Sequence, residues 1–513
     1  MEDLNGTVDE SVSWTNKPKV IIIGAGIAGI AAGEYLARKG LTDFKILEAS
    51  NRTGGRIWND DGHKAEMGAN WIHGIERNPI YQIADQNHLL ELRHANRNLR
   101  RRDLHATESG DIVGDKMVKE VDFSYGMLIA ECEDYFHSSM PTPEEGDSVG
   151  AHLEREFQEK LDKYSNGDRR FRQMVFDQRI LLECCITGCD NMSDVSLEEF
   201  GCYEELPGVH YTIPPGFEAI LEILKKNIPE ENILLNKPVK TINWSPSENN
   251  KSEEVCVECE NGEKFYANHV ICTVSIGVLK AACDRMFYPP LPKDKQQAIQ
   301  SLGFGIVDKV ILEFDQTVVD SDVFRIELLW DRDNVKEKDL RYTWMRKIYS
   351  FEVVHENILV GWLSGKEALY MESLTEDQIA EDCRDLLRKF LNRNDIPLPK
   401  RVIRTRWGNN PYTRGSYSFL AIGARQKDIY TLQEPLTILL FLSFQPQVLF
   451  GGEATHPTFY STTHGALLTG YREAQRIVVR LSTTVLNHLC MYENITVVYL
   501  SSSCVCDIKK LIT

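Results

Sequence analysis

The chain has 513 residues, 42% of them hydrophobic and 26% charged, which excludes disorder and a collagen-like repeat and leaves room for two or three domains. Its formal net charge of −18 disfavours nucleic acid as a partner and favours cationic ligands through long-range attraction. No apolar run reaches about 18 residues, so no membrane span is expected, and the acidic start Met1-Glu2-Asp3 is unlike a secretory signal, so a cytoplasmic location is expected.

In chain order, the first signal is Val20-Ile21-Ile22-Ile23, then Gly24-Ala25-Gly26-Ile27-Ala28-Gly29 and a helix-forming run to about Arg38. A continuous branched run is what a strand buried on both faces requires, and the glycines permit a tight turn into a helix whose first amides can hold a pyrophosphate. The second strand, Phe44 to Leu47, ends in Glu48, about twenty positions beyond Gly29, where a carboxylate accepts hydrogen bonds from ribose hydroxyls. An adenine dinucleotide is therefore expected. Arg52-Thr53-Gly54-Gly55-Arg56 follows, a second glycine pair that lets backbone amides meet more phosphate while Arg56 adds charge. This RxGGR pattern resembles flavoproteins related to the amine oxidases, and Gly68-Ala69-Asn70-Trp71-Ile72-His73-Gly74 supplies small residues and an aromatic for a turn near the isoalloxazine.

Residues 101–229 are charged and helix-prone, and 301–399 alternate β-rich runs such as Val310-Ile311-Leu312 with a helix from about Thr375 to Leu391. Thirteen cysteines without regular spacing argue for a reducing compartment. The lone CxxC, Cys256 and Cys259, lies in a strand-like run that turns the two to opposite faces, so no metal site is expected. Val448-Leu449-Phe450 reads as a strand, Gly451 to His456 as a polar turn with Glu453 aimed at a ribityl hydroxyl, and Thr462 to Leu481 as an amphipathic helix. The start of that helix, with Thr462 and Thr463, offers hydroxyls and free amides to a flavin ring that gains negative charge.

With Glu183-Cys184-Cys185, Arg414-Gly415-Ser416-Tyr417-Ser418, Gly452-Glu453-Ala454-Thr455-His456 and Tyr460-Ser461-Thr462-Thr463-His464-Gly465, these blocks make the chain resemble the flavin-containing polyamine oxidases over about residues 19 to 480. The resemblance implies an α/β fold: a Rossmann-like, GR2-type FAD-binding domain, discontinuous over 15–100, 230–300 and 400–480, and an α+β substrate domain of mixed sheet and flanking helices over 101–229 and 301–399. FAD is expected to be noncovalent, since no cysteine stands where monoamine oxidases attach theirs. The backbone at Val239 would meet adenine, Trp407 the flavin, and Tyr417, Tyr460 and Thr462 would line a substrate tunnel.

Amine oxidation removes a hydride equivalent from the carbon beside an unprotonated nitrogen, so the protein must accept a polycation yet neutralise one amine. Lys309, at the start of a buried strand, either snorkels to solvent or sits desolvated beside the flavin. Its block matches the family's lysine, which implies proton handling and flavin reoxidation by oxygen. His73 is either structural or, as in animal polyamine oxidases, a hydrogen-bond partner of the substrate amine through a ring that titrates near neutral pH. Glu183 could pair a distant ammonium or serve a structural arginine.

Spermine oxidases carry an acidic residue directly after the Cys-Cys pair, where this chain has Ile186. An apolar wall accepts an acetamide but leaves a buried ammonium unpaired. The expected substrates are thus N1-acetylspermine and N1-acetylspermidine, with oxygen as co-substrate and a shortened polyamine, 3-acetamidopropanal and hydrogen peroxide as products. Spermine is the alternative substrate, and a flavin-binding protein without turnover the alternative of another class. A monomer is expected. Two segments depart from the family: the apolar 436–444 run, where relatives have a polar loop, and the tail 482–513, which lacks a peroxisomal Ser-Lys-Leu-type ending.

Overall fold

The computed structural model describes residues 19–59, 65–90, 102–137, 140–144, 146–244, 254–335, 339–440 and 443–493. Strand β1 (Val20–Ile23) is buried throughout and pairs in parallel on both sides, with β2 (Phe44–Leu47) through Val20↔Phe44 and with His269–Cys272 through Val20↔His269. Helices and loops cover both of its faces, which explains a strand with no polar residue. The full sheet runs Leu436–Leu440, Ser443–Phe450, His269–Cys272, β1, β2, Ile233–Leu234, so its strands come from three distant parts of the chain.

Helix α1 (Ile27–Arg38) leaves the Gly24–Gly29 turn and packs along the C-terminal helix Thr463–Glu493. Ala28, Ala31 and Ala32 share one core with Leu467, Ala474 and Ile477. A Cβ on Gly470 would fall 2.1 Å from the Ala28 carbonyl oxygen, so only a glycine lets these two helices approach so closely. That contact holds the start of the C-terminal helix over the dinucleotide turn.

A second six-stranded sheet runs Arg401–Arg404, Val307–Glu313, Ile358–Ser364, Ser350–His355, Val323–Leu329, Arg102–Thr107, antiparallel except for its last pair. Side chains alternate along Val307–Glu313. Val310 and Leu312 face the core under the helix Glu376–Leu391, whereas Ile311 packs with Ala65 and Met67. By the same period of two, Lys309 lies on the Ile311 face, toward the 65–70 segment.

Three features differ from the sequence expectation. Arg401–Arg404, inside the 400–480 stretch assigned to the cofactor domain, pairs with Val307–Glu313 in the second sheet. Within the apolar 436–444 run, Leu436–Leu440 is a strand paired antiparallel with Ser443–Phe450 at the edge of the first sheet, with Leu436 buried. The last helix continues to Glu493 instead of ending near Leu481, while the final residues Lys509 to Thr513 lie outside the described residues. Cys256 and Cys259 do sit on opposite faces of Val255–Cys259. Among the described residues, no helix is long and apolar enough to cross a membrane.

Candidate active site

One cavity of about 1690 Å³ runs between the two sheets. Sites for one small molecule usually occupy about 300–1,000 Å³, so there is room for a dinucleotide and a slender second ligand. Arg52, Arg56, Lys237 and Lys240 line it toward the glycine turns, together with Glu48 and Glu260, and Glu133, Glu183 and Glu205 line it toward the two helices Asp115–Phe136 and Asn166–Thr187 and the loop after them.

At the glycine-turn end, Gly24, Gly26, Ile27 and Ala28 line the cavity. Gly24 has φ +100°, which an L side chain rarely adopts. Gly29 does not line it. A Cβ there would fall 1.9 Å from the Gly24 carbonyl oxygen, so Gly29 shapes the turn instead of touching a ligand. Glu48 is buried; its Oε2 accepts from Ala25 N–H at 2.8 Å and its Oε1 from Ser50 N–H and hydroxyl at 2.9 and 2.7 Å. A carboxylate offers about four lone-pair sites, so one on Oε2 remains for a ribose hydroxyl. Lys237 N–H donates to the Glu48 carbonyl at 2.8 Å, and this ties Pro238-Val239, also lining, to the same end.

Gly68, Ala69, Asn70 and Trp71 line the middle of the cavity together with Lys309. The Lys309 ammonium does not snorkel. It is 3% exposed and donates to the Glu66 and Gly68 carbonyls at 2.6 and 2.8 Å and to Asn70 Oδ1 at 3.0 Å, 4.3 Å above the Trp362 ring. Burial lowers its pKa to about 7, with Glu66 and Glu352 opposing the shift. Asn70 therefore serves the lysine. Trp362, Glu66 and Glu352 had no local signal; Trp362 meets Lys309 only because the two are cross-strand partners.

His73 lines the cavity with its ring 5.3 Å from that of His210. Burial lowers its pKa to about 4, helped by His210, so it is a neutral hydrogen-bonding group and does not titrate near neutrality as expected. Trp407 is buried in the cavity wall. Glu453 lines the wall too, but it is chiefly a hub: Oε1 accepts from Arg56 Nη1 at 2.9 Å, and Oε2 from the Ser418 hydroxyl at 2.6 Å and Ser461 N–H at 3.0 Å. Thr462 and Thr463 open the last helix at the cavity. The Thr462 hydroxyl is committed to capping, donating to the Phe459 carbonyl and accepting from Gly465 N–H at 2.9 Å.

At the acidic end, Glu183 accepts from the Tyr125 hydroxyl at 3.1 Å and has no arginine partner among the described residues. Burial raises its pKa to about 7. Neighbouring Glu133 and Glu205, both missed in sequence, add to that shift and to the negative field. Tyr460 is buried and meets Tyr203 edge-on at 5.7 Å, while the Tyr417 hydroxyl donates to the Cys185 carbonyl, leaving its ring as the lining surface. Ile186 is 58% exposed at the rim and is not the buried wall that the selectivity argument assumed. Trp330 and Trp344 are core residues.

The flavin containing amine oxidoreductase family matches residues 27–478. The chain belongs to this family. It is 36% identical over 489 residues to the human (Homo sapiens) peroxisomal N(1)-acetyl-spermine/spermidine oxidase, covering 90% of this chain and 95% of that protein. It is 30% identical to the probable polyamine oxidase 5 of Arabidopsis thaliana, covering 90% of this chain and 98% of that one. A solved putrescine oxidase double mutant, redesigned in cofactor binding, shares the fold with a TM-score of 0.63 at 20% identity, covering 90% of this chain and 99% of that one. The chain is thus an FAD-dependent amine oxidoreductase, and its residues fit the cofactor. The Gly26 and Gly54-Gly55 backbones form a paired cradle, with Gly54 N–H bonded to Ala25 O at 2.8 Å, and a Cβ on Gly26 would meet the Gly54 carbonyl oxygen at 3.9 Å.

Proposed function

We propose that this amine oxidoreductase oxidises N1-acetylated polyamines at a secondary amine, as a monomer, with noncovalent FAD and oxygen as electron acceptor. The observation that carries the reading is a desolvated lysine in the wall of a cavity whose far end holds three glutamates, of which Glu183 has no cationic partner among the described residues and Glu205 meets His210 Nε2 at 3.1 Å. The cysteine among the described lining residues, Cys185, is 6% exposed and lies beside the Tyr417 hydroxyl. The Gly24–Ala28 turn, Glu48 and the Gly54-Gly55 pair would hold FAD, which would supply an acceptor for the hydride equivalent from the carbon beside nitrogen and a route for the electrons to oxygen.

The chain's own residues do the rest. Glu183, Glu133 and Glu205 attract the polycation and pair its distant ammonium, which draws the Glu183 pKa back down as substrate binds. His73, neutral at working pH, hydrogen-bonds the reacting amine in its uncharged form. Lys309, half neutral near pH 7, takes up or releases one proton at Nζ, and the neutral amine keeps two N–H donors for its three acceptors. The aromatic rings of Tyr417 and Tyr460 hold the aliphatic chain by apolar contact and cation–π attraction, while Trp407 would meet the flavin.

Because Ile186 is exposed, a free terminal ammonium there keeps its water, and an exposed charge contact is worth at most about 1 kcal/mol. In a peroxide-coupled assay with N1-acetylspermine, N1-acetylspermidine and spermine, Ile186→Glu is therefore expected to shift the preference toward spermine by no more than about fivefold. A much larger shift would put this position deep in a dry site. Absence of peroxide from all three compounds, with FAD bound, would remove the polyamine reading.

A further inference from the structure

Behind the cavity wall lies a pair of carboxyl groups that the reaction above does not use. Asp308 is 0% exposed and Glu372 is 3% exposed. Asp308 Oδ1 accepts from the Thr405 hydroxyl at 2.5 Å and from Trp407 N–H at 3.2 Å. Glu372 Oε1 accepts from Gly408 N–H at 2.7 Å and Oε2 from Asn409 N–H at 2.8 Å. These four donors serve three of the four oxygens. The fourth, Asp308 Oδ2, is buried against Glu372 and receives none.

Two anions in such a place would repel without solvent to screen them, so the pair must retain a proton. Glu372 accepts from two backbone amides and lies near Arg404. Asp308 has burial and Glu372 against its charge, and Tyr417 is its other titratable neighbour; its carboxyl is pushed well above the carboxylate range. We infer that Asp308 is a neutral acid that donates its Oδ2–H to Glu372, and that this acid–carboxylate pair positions Trp407 against the strand carrying Lys309.

The linkage is direct. The Thr405 hydroxyl accepts from Lys309 N–H at 2.8 Å while donating to Asp308, so the catalytic strand and the 405–409 turn meet at this pair. At the other end of the turn, the Trp407 carbonyl accepts from the Thr413 hydroxyl and from Gly415 N–H, both at 2.8 Å. Asp308 and Glu372 are thus positioning residues, not catalytic ones.

The test uses full-length, FAD-loaded protein with Asp308→Ala and Asp308→Asn. Asparagine keeps the Oδ1 acceptor and places an N–H donor where Oδ2–H stood. It is expected to recover most of the roughly tenfold loss in kcat caused by alanine, together with the flavin absorption band that alanine perturbs. Substrate-free thermal unfolding supplies a reading that activity does not enter. Wild type folded holds a proton that the unfolded chain releases above its ordinary pKa of 3.8, so its midpoint must fall relative to Asp308→Asn as pH rises from about 5 to 9. A midpoint difference that stays flat with pH, or an asparagine variant as damaged as alanine, would overturn the inference. The kinetic arm rests on the oxidase reading; the unfolding and absorbance arms decide this inference even if no polyamine is turned over, or if the alanine variant does not fold.

Discussion

Lys309→Met is expected to lower kcat at least about 100-fold with FAD still bound, the scale of losing a positioned proton donor or acceptor. The lysine is desolvated, and methionine fills its path without offering a proton. Wild-type kcat should rise with pH through about 7, because the lysine loses its charge there. The sign follows from the direction of the shift: a lowered lysine pKa makes the neutral form available above that value. His73, at about 4, contributes no limb in this range. In the methionine variant the limb near 7 should vanish, whereas a variant with unchanged kcat and an unchanged profile would remove Lys309 from the chemistry. The substitution also leaves the Glu66 and Gly68 carbonyls and Asn70 Oδ1 without their donor, so bound flavin must be verified by absorbance before kinetics are compared.

Glu453→Ala should be the most damaging single change in the cofactor cradle. Glu453 is buried and ties Arg56, Ser418 and Ser461, which belong to three separate segments. Ser461 has φ +67°, a conformation that strains a side-chain-bearing residue and that its N–H bond to Glu453 helps to hold. Removing the carboxylate leaves the Arg56 guanidinium without its anion beside the phosphate end of the cavity. Arg56 is 27% exposed, so the cost lies below the roughly 3–5 kcal/mol of breaking a fully buried pair. The expected outcome is a protein that loses FAD on gel filtration and unfolds at lower denaturant concentration. Retention of FAD with unchanged stability would show that Arg56 and Ser461 are held by other contacts.

Much of this was legible in sequence where a motif is local. Gly24 to Gly29, Glu48 and the RxGGR run each sit within a few residues of the backbone they shape, so their spacing carries their meaning. Lys309 was placed by its block, but its desolvation depends on Trp362 and Glu66, which reach it through strand pairing and a distant loop. Glu453 lines the cavity as its motif leads one to expect, but its ties to Arg56 and Ser418 join distant segments and have no local signal. For the same reason His73 was expected to titrate near neutrality: nothing in its neighbours along the chain reports its burial or the nearby His210 ring. The exposure of Ile186 at the rim, and the edge strand within the apolar 436–444 run, likewise depend on what packs against them. The Asp308–Glu372 pair joins positions with no sequence relation at all.

The most direct measurement is the absorption spectrum of the purified protein, recorded without oxygen before and after addition of N1-acetylspermine. The account predicts a yellow protein whose flavin bands near 450 nm bleach on the timescale of turnover and return when air is admitted. A protein that folds yet carries no flavin, or whose bound flavin stays oxidised with every polyamine offered, would contradict it.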